Sequence, residues 1–405
     1  MNKIFKRVFS SFAFQFKIYN SLHPKYMKVL YYYPENPLLL NQGNNARALS
    51  LLKYFKDRKF EVDLVGERAN NFTEESISQL KELQLISEGY LLKDFKRKKN
   101  QLKYFFFYSL PNKISGKLKD FDRSRFGQRK HFNDILEKNE YDFIIISYVY
   151  WASLIKDNPN VKKAKLVIDT HDFLTSQFQN QKKFDLGKYF DKEINTLNLF
   201  DKVLVISNEE KYIFSQFVKK EIAIVTHTIE QKNSNIEIAD RKYDLVYVAS
   251  NNEHNVKSAK WFFEEVFPKI DKNITICVVG RITAYCPDGS NISKLEYVEN
   301  LDSIYQNSKI AICPMLSGTG LKIKVVEALS FGLPIVCNER GVDGMINKTN
   351  NGCLVTNDPV KFANYISRLA TDLDFYNENS VKAKQFFAEN HSVETVYDTL
   401  DEVFN

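Results

Sequence analysis

The sequence has little cysteine and no long apolar segment. Its 405 residues include five cysteines, with no Cys-x-x-Cys pair and no histidine at metal-binding spacing. This pattern excludes a disulfide framework and a metal site of that kind, and it indicates a reducing, cytosolic compartment. No run of about 18 apolar residues occurs, so no transmembrane helix is predicted. The basic residues 1–26 lack a continuous hydrophobic region and a small-residue cleavage site, which argues against a signal peptide.

Positive charge is confined to two segments. Of the net charge of +7, residues 1–26 carry +5 and residues 93–131 carry +10, which leaves −8 for the remainder. Both segments are rich in Phe and Tyr, so one interpretation is contact with an anionic membrane surface. The other is a solvated charged face over a local aromatic core. No nucleic-acid-binding motif accompanies the charge, so nucleic acid is not expected as a partner.

Short apolar runs rich in β-branched residues alternate with longer helical patterns. These strand candidates are 27–33, 60–66, 141–147, 164–170, 202–207, 222–226, 243–249, 274–280, 309–315, 333–338 and 352–356. Several lack polar alternation, as strands covered on both faces do. Helices are predicted between them, for example over 44–57, 257–270 and 319–331. This alternation predicts an α/β fold with parallel sheets.

One polar stretch, residues 227–242, interrupts the alternation and predicts a domain boundary. The resulting division is a basic amphipathic extension (1–26), a first α/β domain (27–226), a linker (227–242), a second α/β domain (243–385) and a C-terminal helix (386–405).

The stretch "CPMLSGTGLKIKVVEALSFGLPIV" (313–336) places two glycines between an apolar run and a helical pattern. Gly318 and Gly320 permit a tight turn, so helix N–H groups are expected at the carboxyl end of a strand, where anions bind. Lys324 can neutralise a phosphate, and Glu327, three residues later, can accept hydrogen bonds from a ribose. The alternative is an exposed intrahelical ion pair that contributes about 0.2–0.5 kcal/mol.

Residues 298–345 resemble the signature of group 1 (family 4) glycosyltransferases with the GT-B fold. The shared features are a strand ending in Pro, a Gly-x-Gly turn, Lys-x-x-Glu-Ala on a helix and a following Gly-x-Pro. "VIDTHDFL", "VLVISNEEKYIF" and the segment from "MKVLYYY" to "VDLVG" resemble first-domain stretches of the same family. The resemblance implies two Rossmann-like domains facing across a cleft. The first would bind the acceptor and the second a nucleotide-sugar donor, which is a substrate rather than a cofactor.

The resemblance also implies roles for individual residues. Glu327 would hold the ribose, and the diphosphate would lie at Gly318, Thr319, Gly320 and Lys324, with Lys322 as a weaker candidate. His171 would face the donor sugar from the first domain, oriented by Asp169 or Asp172. Two pairs complete the set: Gly43 and Asn44 in the first strand-to-helix loop, and Asn255 and Arg281, which follow second-domain strands.

Thr319 departs from the family pattern, because many members have a glutamate eight positions before the residue matching Glu327. The strings "DFD" (120–122) and "DLD" (372–374) do not follow strand candidates, so both are interpreted as surface acids and no metal site is predicted.

The predicted function is sugar transfer, with retention of configuration, from a nucleotide-sugar to a glycan or lipid-linked acceptor in cell-envelope synthesis. The expected place is the cytoplasm, peripheral at the inner membrane face. The alternatives are a nucleotide-sugar 2-epimerase of the same fold and a non-catalytic sugar-nucleotide binding module.

Overall fold

A computed structural model describes seven stretches of the chain, with all side chains except those of residues 107 and 108. The stretches are 27–39, 43–69, 71–92, 101–110, 121–232, 236–318 and 320–405. Segment 1–26, residues 93–100 and 111–120 of the second basic segment, and Thr319 lie outside the described residues.

The first half of the chain forms a seven-stranded sheet. Its strands are β1 (Lys28–Tyr32), β2 (Glu61–Glu67), β3 (Glu88–Leu92), β4 (Phe143–Ser147), β5 (Lys165–Asp169), β6 (Lys202–Val205) and β7 (Glu221–Ile224). They lie in the order β3-β2-β1-β4-β5-β6-β7. β1 pairs in parallel with β2 and β4, as do β2 with β3 and β6 with β7. Every residue of β4 is buried, which explains why its apolar run lacks polar alternation.

The second half forms a six-stranded sheet. Its strands are β8 (Tyr243–Val248), β9 (Ile276–Val279), β10 (Ile292–Leu295), β11 (Ser308–Cys313), β12 (Ile335–Cys337) and β13 (Cys353–Val355). They lie in the order β10-β9-β8-β11-β12-β13, and all neighbouring pairs are parallel. This is the strand order of a doubly wound Rossmann sheet. The order in which successive strands are added reverses between β8 and β11, which form the switch point. The predicted α/β fold with two Rossmann-like sheets is confirmed.

Helices connect the strands. They are α1 (Gly43–Asp57), α2 (Glu74–Glu82), α3 (Gln101–Tyr104), α4 (Gln128–Lys138), α5 (Leu174–Gln177), α6 (Leu186–Leu197), α7 (Asn208–Ser215), α8 (Glu253–Trp261), α9 (Leu301–Gln306), α10 (Ile323–Ser330), α11 (Pro359–Thr371), α12 (Leu373–Asn390) and α13 (Val393–Val403). Short 3₁₀ or π-helical turns occur at Phe105–Ser109, Val149–Leu154, Pro159–Val161, Ile238–Asp240, Phe262–Val266, Phe267–Lys269, Arg281–Tyr285 and Glu339–Val342. None of the helices described is both long and apolar enough to span a bilayer.

Helices cover both faces of the second sheet. Along β8, Leu245 and Tyr247 join a core cluster with residues of α8 and α11, while Val246 joins a second cluster with residues of α10 and α12. On α10, Val325, Ala328 and Leu329 are at most 1% exposed and face the second of these clusters. This packing fixes α10 against the sheet.

The sequence analysis missed two strands, β3 and β10. Each lies at the outer edge of its sheet. All four residues of β10 are only partly buried, and β3 includes an exposed glutamate and a glycine. Polar residues and a glycine weaken the strand signal of β3 and β10, whereas the other two edge strands, β7 and β13, keep short apolar runs and were predicted.

Two helix predictions were wrong at their boundaries. The helix predicted over 319–331 begins at Ile323, because Gly318 and Gly320 have positive φ and Lys322 is extended. The tail predicted as one helix from residue 386 contains the end of α12 and a separate α13, whose first turn is capped by the Ser392 side chain. The proposed domain limits stay predictions.

The described chain falls into two compact units. The described residues of Met1–Leu40 and Leu51–Val167 form one, and those of Asn41–Ser50 and Ile168–Asn405 form the other. All described candidate site residues belong to the second unit.

Candidate functional site

The glycine turn follows β11 at the carboxyl edge of the second sheet. Gly318 and Gly320 have φ angles of +95° and +77°, in a region that residues with a Cβ atom rarely adopt. The Lys322 ammonium donates a hydrogen bond to the Gly320 carbonyl oxygen at 2.7 Å and so braces the turn. α10 starts directly after Lys322, so its first N–H groups and positive dipole end lie beside this edge.

Lys324 lies in the first turn of α10 and has three polar or polarisable neighbours. Its ammonium donates to Asn255 Oδ1 at 3.1 Å, lies 3.9 Å from Met315 Sδ and lies 5.7 Å from the ring centroid of Tyr247. No carboxylate pairs with it among the described residues. Burial lowers the pKa of Lys324, because its charged form loses hydration.

Glu327 follows one turn later on α10. The Tyr305 hydroxyl lies 3.3 Å from Glu327 Oε2 and 3.4 Å from the Lys324 carbonyl oxygen, so its one proton is shared between these two acceptors. Tyr305 is fixed in turn by stacking on Phe331, with ring centroids 5.4 Å apart. Burial raises the pKa of Glu327, while the hydrogen bond from Tyr305 opposes that rise. An anchored carboxylate of this kind can accept hydrogen bonds from ligand hydroxyls.

The ion-pair alternative for these two residues is wrong. Within the described part of the chain no salt bridge joins Lys324 to Glu327, and each side chain has its own partner on another element. The ammonium and the carboxylate are therefore held separately, one helical turn apart.

Asn255 and Lys324 meet because the strands that precede their helices, β8 and β11, are neighbours in the sheet. Asn255 lies on α8, just after β8, and β8 pairs with β11 at the point where the strand order reverses. In doubly wound sheets this switch point is where ligands bind. Arg281 follows β9, the next strand outward, and is exposed. It forms no hydrogen bond or salt bridge within the described residues.

Gly43 begins α1 and closely approaches α10. A Cβ atom at Gly43 would lie 2.3 Å from Ile323 Cδ1, and the Gly43 carbonyl oxygen lies 2.9 Å from His227 Nε2. Asn44 accepts a hydrogen bond from the Asn45 backbone N–H at 3.0 Å. The structure thus brings the predicted Gly43 loop to the first residue of α10.

His171 follows β5 and is 5% exposed. Its Nε2 lies 3.0 Å from Asp169 Oδ2. Asp169, one of the two orienting carboxylates weighed from the sequence, therefore contacts the ring. Burial raises the pKa of Asp172, the other candidate.

Sequence reasoning missed three residues that support these groups: Tyr305, Arg47 and His227. Tyr305 anchors Glu327, the Arg47 guanidinium binds Asp169, and His227 contacts Gly43. An isolated tyrosine, arginine or histidine carries no local pattern, so no sequence signal distinguishes them. His227 stands in the segment interpreted as a linker.

Among the described residues, no group of three or more His, Cys, Asp or Glu side chains could hold a metal ion. Asp372, in the string "DLD", caps α12 by accepting a hydrogen bond from the Phe375 backbone N–H at 2.9 Å. All five cysteines are free and buried.

Comparison with known proteins gives matches to sequence families and to folds. Residues 242–372 match the family "Glycosyl transferases group 1". An uncharacterised 44.6 kDa protein in the cps region of Klebsiella pneumoniae is 23% identical over 302 residues, which cover 67% of this chain and 76% of that protein.

Solved structures share the fold at low identity. HepE from Anabaena, in complex with UDP-glucose, aligns with a TM-score of 0.65 at 12% identity, over 93% of this chain and 99% of HepE. Sucrose-phosphate synthase from Thermosynechococcus elongatus aligns with a TM-score of 0.66 at 13% identity, over 93% and 98% of the two chains. The resemblance found in the sequence is confirmed: this chain has the GT-B fold, and its residues 242–372 match the group 1 glycosyltransferase family.

Proposed function

We propose that this protein transfers a sugar from a nucleotide-sugar donor to a glycan or lipid-linked acceptor. The observation that carries the proposal is the position of Lys324 and Glu327. They lie one turn apart at the start of α10, after a Gly-x-Gly turn at the switch point of the second sheet. A nucleoside diphosphate matches this arrangement, with its phosphates at the helix start and its ribose one turn further along.

The charges of the proposed site favour an anion. The Lys324 ammonium is held by an amide oxygen, a thioether and an aromatic ring, so a diphosphate would supply the missing opposite charge. The α10 dipole and the backbone N–H groups of the turn add to that attraction. In sugar transfer the same groups stabilise the negative charge that develops on the departing diphosphate.

Glu327 supplies the complementary contact to the sugar part of the nucleotide. Its carboxylate, anchored by Tyr305, can accept hydrogen bonds from two adjacent ribose hydroxyls. Such bonds to an ionised acceptor contribute about 1.5–3 kcal/mol each. We further propose that configuration is retained and that the diphosphate assists deprotonation of the acceptor, with His171 facing the donor sugar.

The relatives suggest the kind of pathway. HepE is solved with UDP-glucose, and the Klebsiella relative is assigned to a cps region. We propose a UDP-sugar donor, a hexosyl group and a cell-envelope polysaccharide or glycolipid product, made in the cytoplasm at the inner membrane face.

A membrane surface is proposed as a further contact. Leu102, Phe105 and Phe106 lie on a short helical segment within the second basic region and are 76%, 46% and 56% exposed. Exposed apolar side chains beside lysines suit an anionic bilayer interface. Charge reversal of Lys96, Arg97, Lys98 and Lys99 should release the protein from phosphatidylglycerol vesicles in co-sedimentation. Unchanged sedimentation would argue for a solvated surface instead.

The transferase proposal is tested by donor binding and turnover. A thermal-shift screen of UDP-, GDP- and dTDP-sugars should find one stabilising nucleotide, and calorimetry should show its affinity reduced roughly 10- to 100-fold in Lys324→Ala and Glu327→Ala. Lys309→Ala is the matched control, because Lys309 pairs with Asp244 at the opposite edge of the same sheet. Equal affinity in all three variants would reject the site.

Turnover separates the three functions. Release of nucleoside diphosphate with glycosylation of an added acceptor supports transfer. Conversion of the free donor to its C2 epimer, followed by proton NMR, would identify the epimerase. Tight binding without hydrolysis, transfer or epimerisation across the panel would identify a binding module.

A further inference from the structure

Arg47 forms a buried charge group with Asp169 beside the Gly43 loop. Its side chain is among the largest fully buried ones of the described chain, with 1% of the residue exposed. Nε and Nη2 donate to Asp169 Oδ1 at 2.8 and 2.6 Å, and Nη1 donates to the Val225 carbonyl oxygen. Both donors bind the same carboxylate oxygen, so this charge-assisted contact holds Oδ1 in place.

The other oxygen of Asp169 faces His171. Asp169 Oδ2 lies 3.0 Å from His171 Nε2, so the two oxygens of one carboxylate are divided between the guanidinium and the imidazole. Oδ2 accepts no aligned hydrogen bond from the described residues, so the contact is electrostatic, and an anionic oxygen at this distance favours a proton on the ring nitrogen that faces it.

The backbone of His171 is also held in an unusual conformation. Its φ is +61°, in the left-handed region that residues with a side chain rarely adopt. Such a conformation is strained and persists where the surroundings enforce it, often at functional sites. The backbone strain and the contact with Asp169 are independent observations, and both indicate that the fold holds the His171 ring in one orientation.

We propose that Arg47 is a positioning residue for His171. By holding the Asp169 carboxylate ionised and oriented, it places the proton of the neutral imidazole on Nε2 and makes Nδ1 a hydrogen-bond acceptor. The functional consequence rests on the proposed transferase activity, in which His171 faces the hydroxyls of the donor sugar. Arg47 itself acts through Asp169.

The charge of Arg47 is essential to this arrangement. Burial by itself raises the pKa of Asp169, but the charge of Arg47, together with the contact from His171, holds it well below its usual range. Without the guanidinium, the buried carboxyl group would take up a proton. It would then donate to His171 Nε2, and the imidazole proton would move to Nδ1.

A purely structural role makes a different prediction. If Arg47 only ties α1 to Val225 and β5, its loss would lower the free energy of unfolding and leave the tautomer of His171 unchanged in the folded protein. The tautomer is therefore the discriminating quantity.

The experiment is ¹⁵N NMR of the histidine rings in the full-length protein, with the His171 signals assigned from His171→Gln. The wild type and Arg47→Lys should show the Nε2–H tautomer, whereas Arg47→Met should show Nδ1–H. Arg241→Met is the matched control, because Arg241 binds the Ser308 carbonyl oxygen and Tyr376 instead. It should leave the tautomer unchanged. A folded Arg47→Met protein that retains Nε2–H would overturn the proposal.

Asp169→Asn keeps the proposal testable if Arg47→Met does not fold. The Asn oxygen would bind Arg47 and its amino group would face His171 Nε2, so Nδ1–H is expected. Retention of Nε2–H in this variant would also overturn it.

Activity then separates this inference from the proposed function. Arg47→Lys should retain transfer, and Arg47→Met should lower kcat about tenfold or more with little change in the donor KM. If the wild type transfers no sugar but the variants show the predicted change of tautomer, the proposed function is rejected and the positioning role of Arg47 is supported. Normal transfer with unshifted tautomers would do the reverse.

Discussion

Lys324 Nζ and Asn255 Oδ1 lie 3.1 Å apart although 69 residues separate them in the sequence. The amide oxygen is the only hydrogen-bonding oxygen that the described residues offer this ammonium, so it sets the direction of the lysine side chain. Asn255 is itself held, because its amide nitrogen donates to Ser250 Oγ at 3.1 Å. The cation of the proposed diphosphate site is thus positioned by the neighbouring strand's loop.

Asn255→Ala should weaken binding of UDP, or of whichever nucleotide the screen identifies, by about two- to tenfold. One hydrogen bond of about 0.5–1.5 kcal/mol is lost, and the lysine is no longer oriented. Isothermal calorimetry measures the effect. Asn273→Ala is the control, since Asn273 is exposed at the opposite end of β9. An affinity equal to that of the control would show that Asn255 does not orient Lys324.

Tyr305→Phe should make nucleotide binding more sensitive to acid. Burial raises the pKa of Glu327 and the Tyr305 hydroxyl opposes the rise, so removing that hydroxyl should raise the pKa further. Only the ionised carboxylate accepts hydrogen bonds from two hydroxyls, so binding should be lost as pH falls through this pKa, and at a higher pH in the variant. Dissociation constants from pH 5 to pH 8 measure the displacement.

Tyr376→Phe is the control for that experiment, because the Tyr376 hydroxyl donates to the Lys309 carbonyl oxygen at 3.1 Å, at the start of β11. Superimposable pH profiles for Tyr305→Phe and wild type would contradict the anchoring role of Tyr305.

Gly344→Ala should destabilise the protein and disturb the glycine turn. A Cβ atom there would lie 2.9 Å from both the Cα and the backbone nitrogen of Leu321, and the φ of Gly344 is +87°. We expect a loss of about 2 kcal/mol or more in the free energy of unfolding, with weaker nucleotide binding. Chemical denaturation and calorimetry measure the two effects. Gly187→Ala, where the nearest atom is 3.6 Å away, should be neutral or slightly stabilising. Equal free energies of unfolding for Gly344→Ala and Gly187→Ala would mean that the segment after the glycine turn does not pack closely on Gly344.

Glu210→Gln should stabilise the protein at high pH relative to wild type. Burial raises the pKa of Glu210 to about 7, from a model-compound value of 4.5. The folded state therefore binds the proton more tightly, and the stabilisation present below pH 4.5 is lost as pH rises towards 7. Glutamine keeps an oxygen to accept from the Ile206 backbone N–H and does not titrate.

The measurement is the melting temperature of both proteins from pH 5 to pH 8. The advantage of Glu210→Gln should grow across this range, while His227 and His391 contribute equally to both proteins. A difference in melting temperature that stays constant from pH 5 to pH 8 would show that folding does not raise the pKa of Glu210.

The sequence predicted most of the fold, because burial imposes local patterns. β4 and β11 were identified as unbroken apolar runs, since strands covered on both faces need no polar alternation. β3 and β10 were missed because polar or small residues interrupt their apolar ones: Glu88 and Gly89 in β3, Ser293 and Lys294 in β10.

The sequence by itself determined the glycine turn, the order of Lys324 and Glu327 on one helix and the family signature around them. These are local features, since turn conformation and helical spacing depend on nearby residues. Only the tertiary structure decided that Lys324 binds Asn255, that Tyr305 anchors Glu327 and that Arg47 reaches Asp169, 122 residues away. Such pairings follow from the order of strands in the sheets, and single polar residues carry no pattern that reveals their partners.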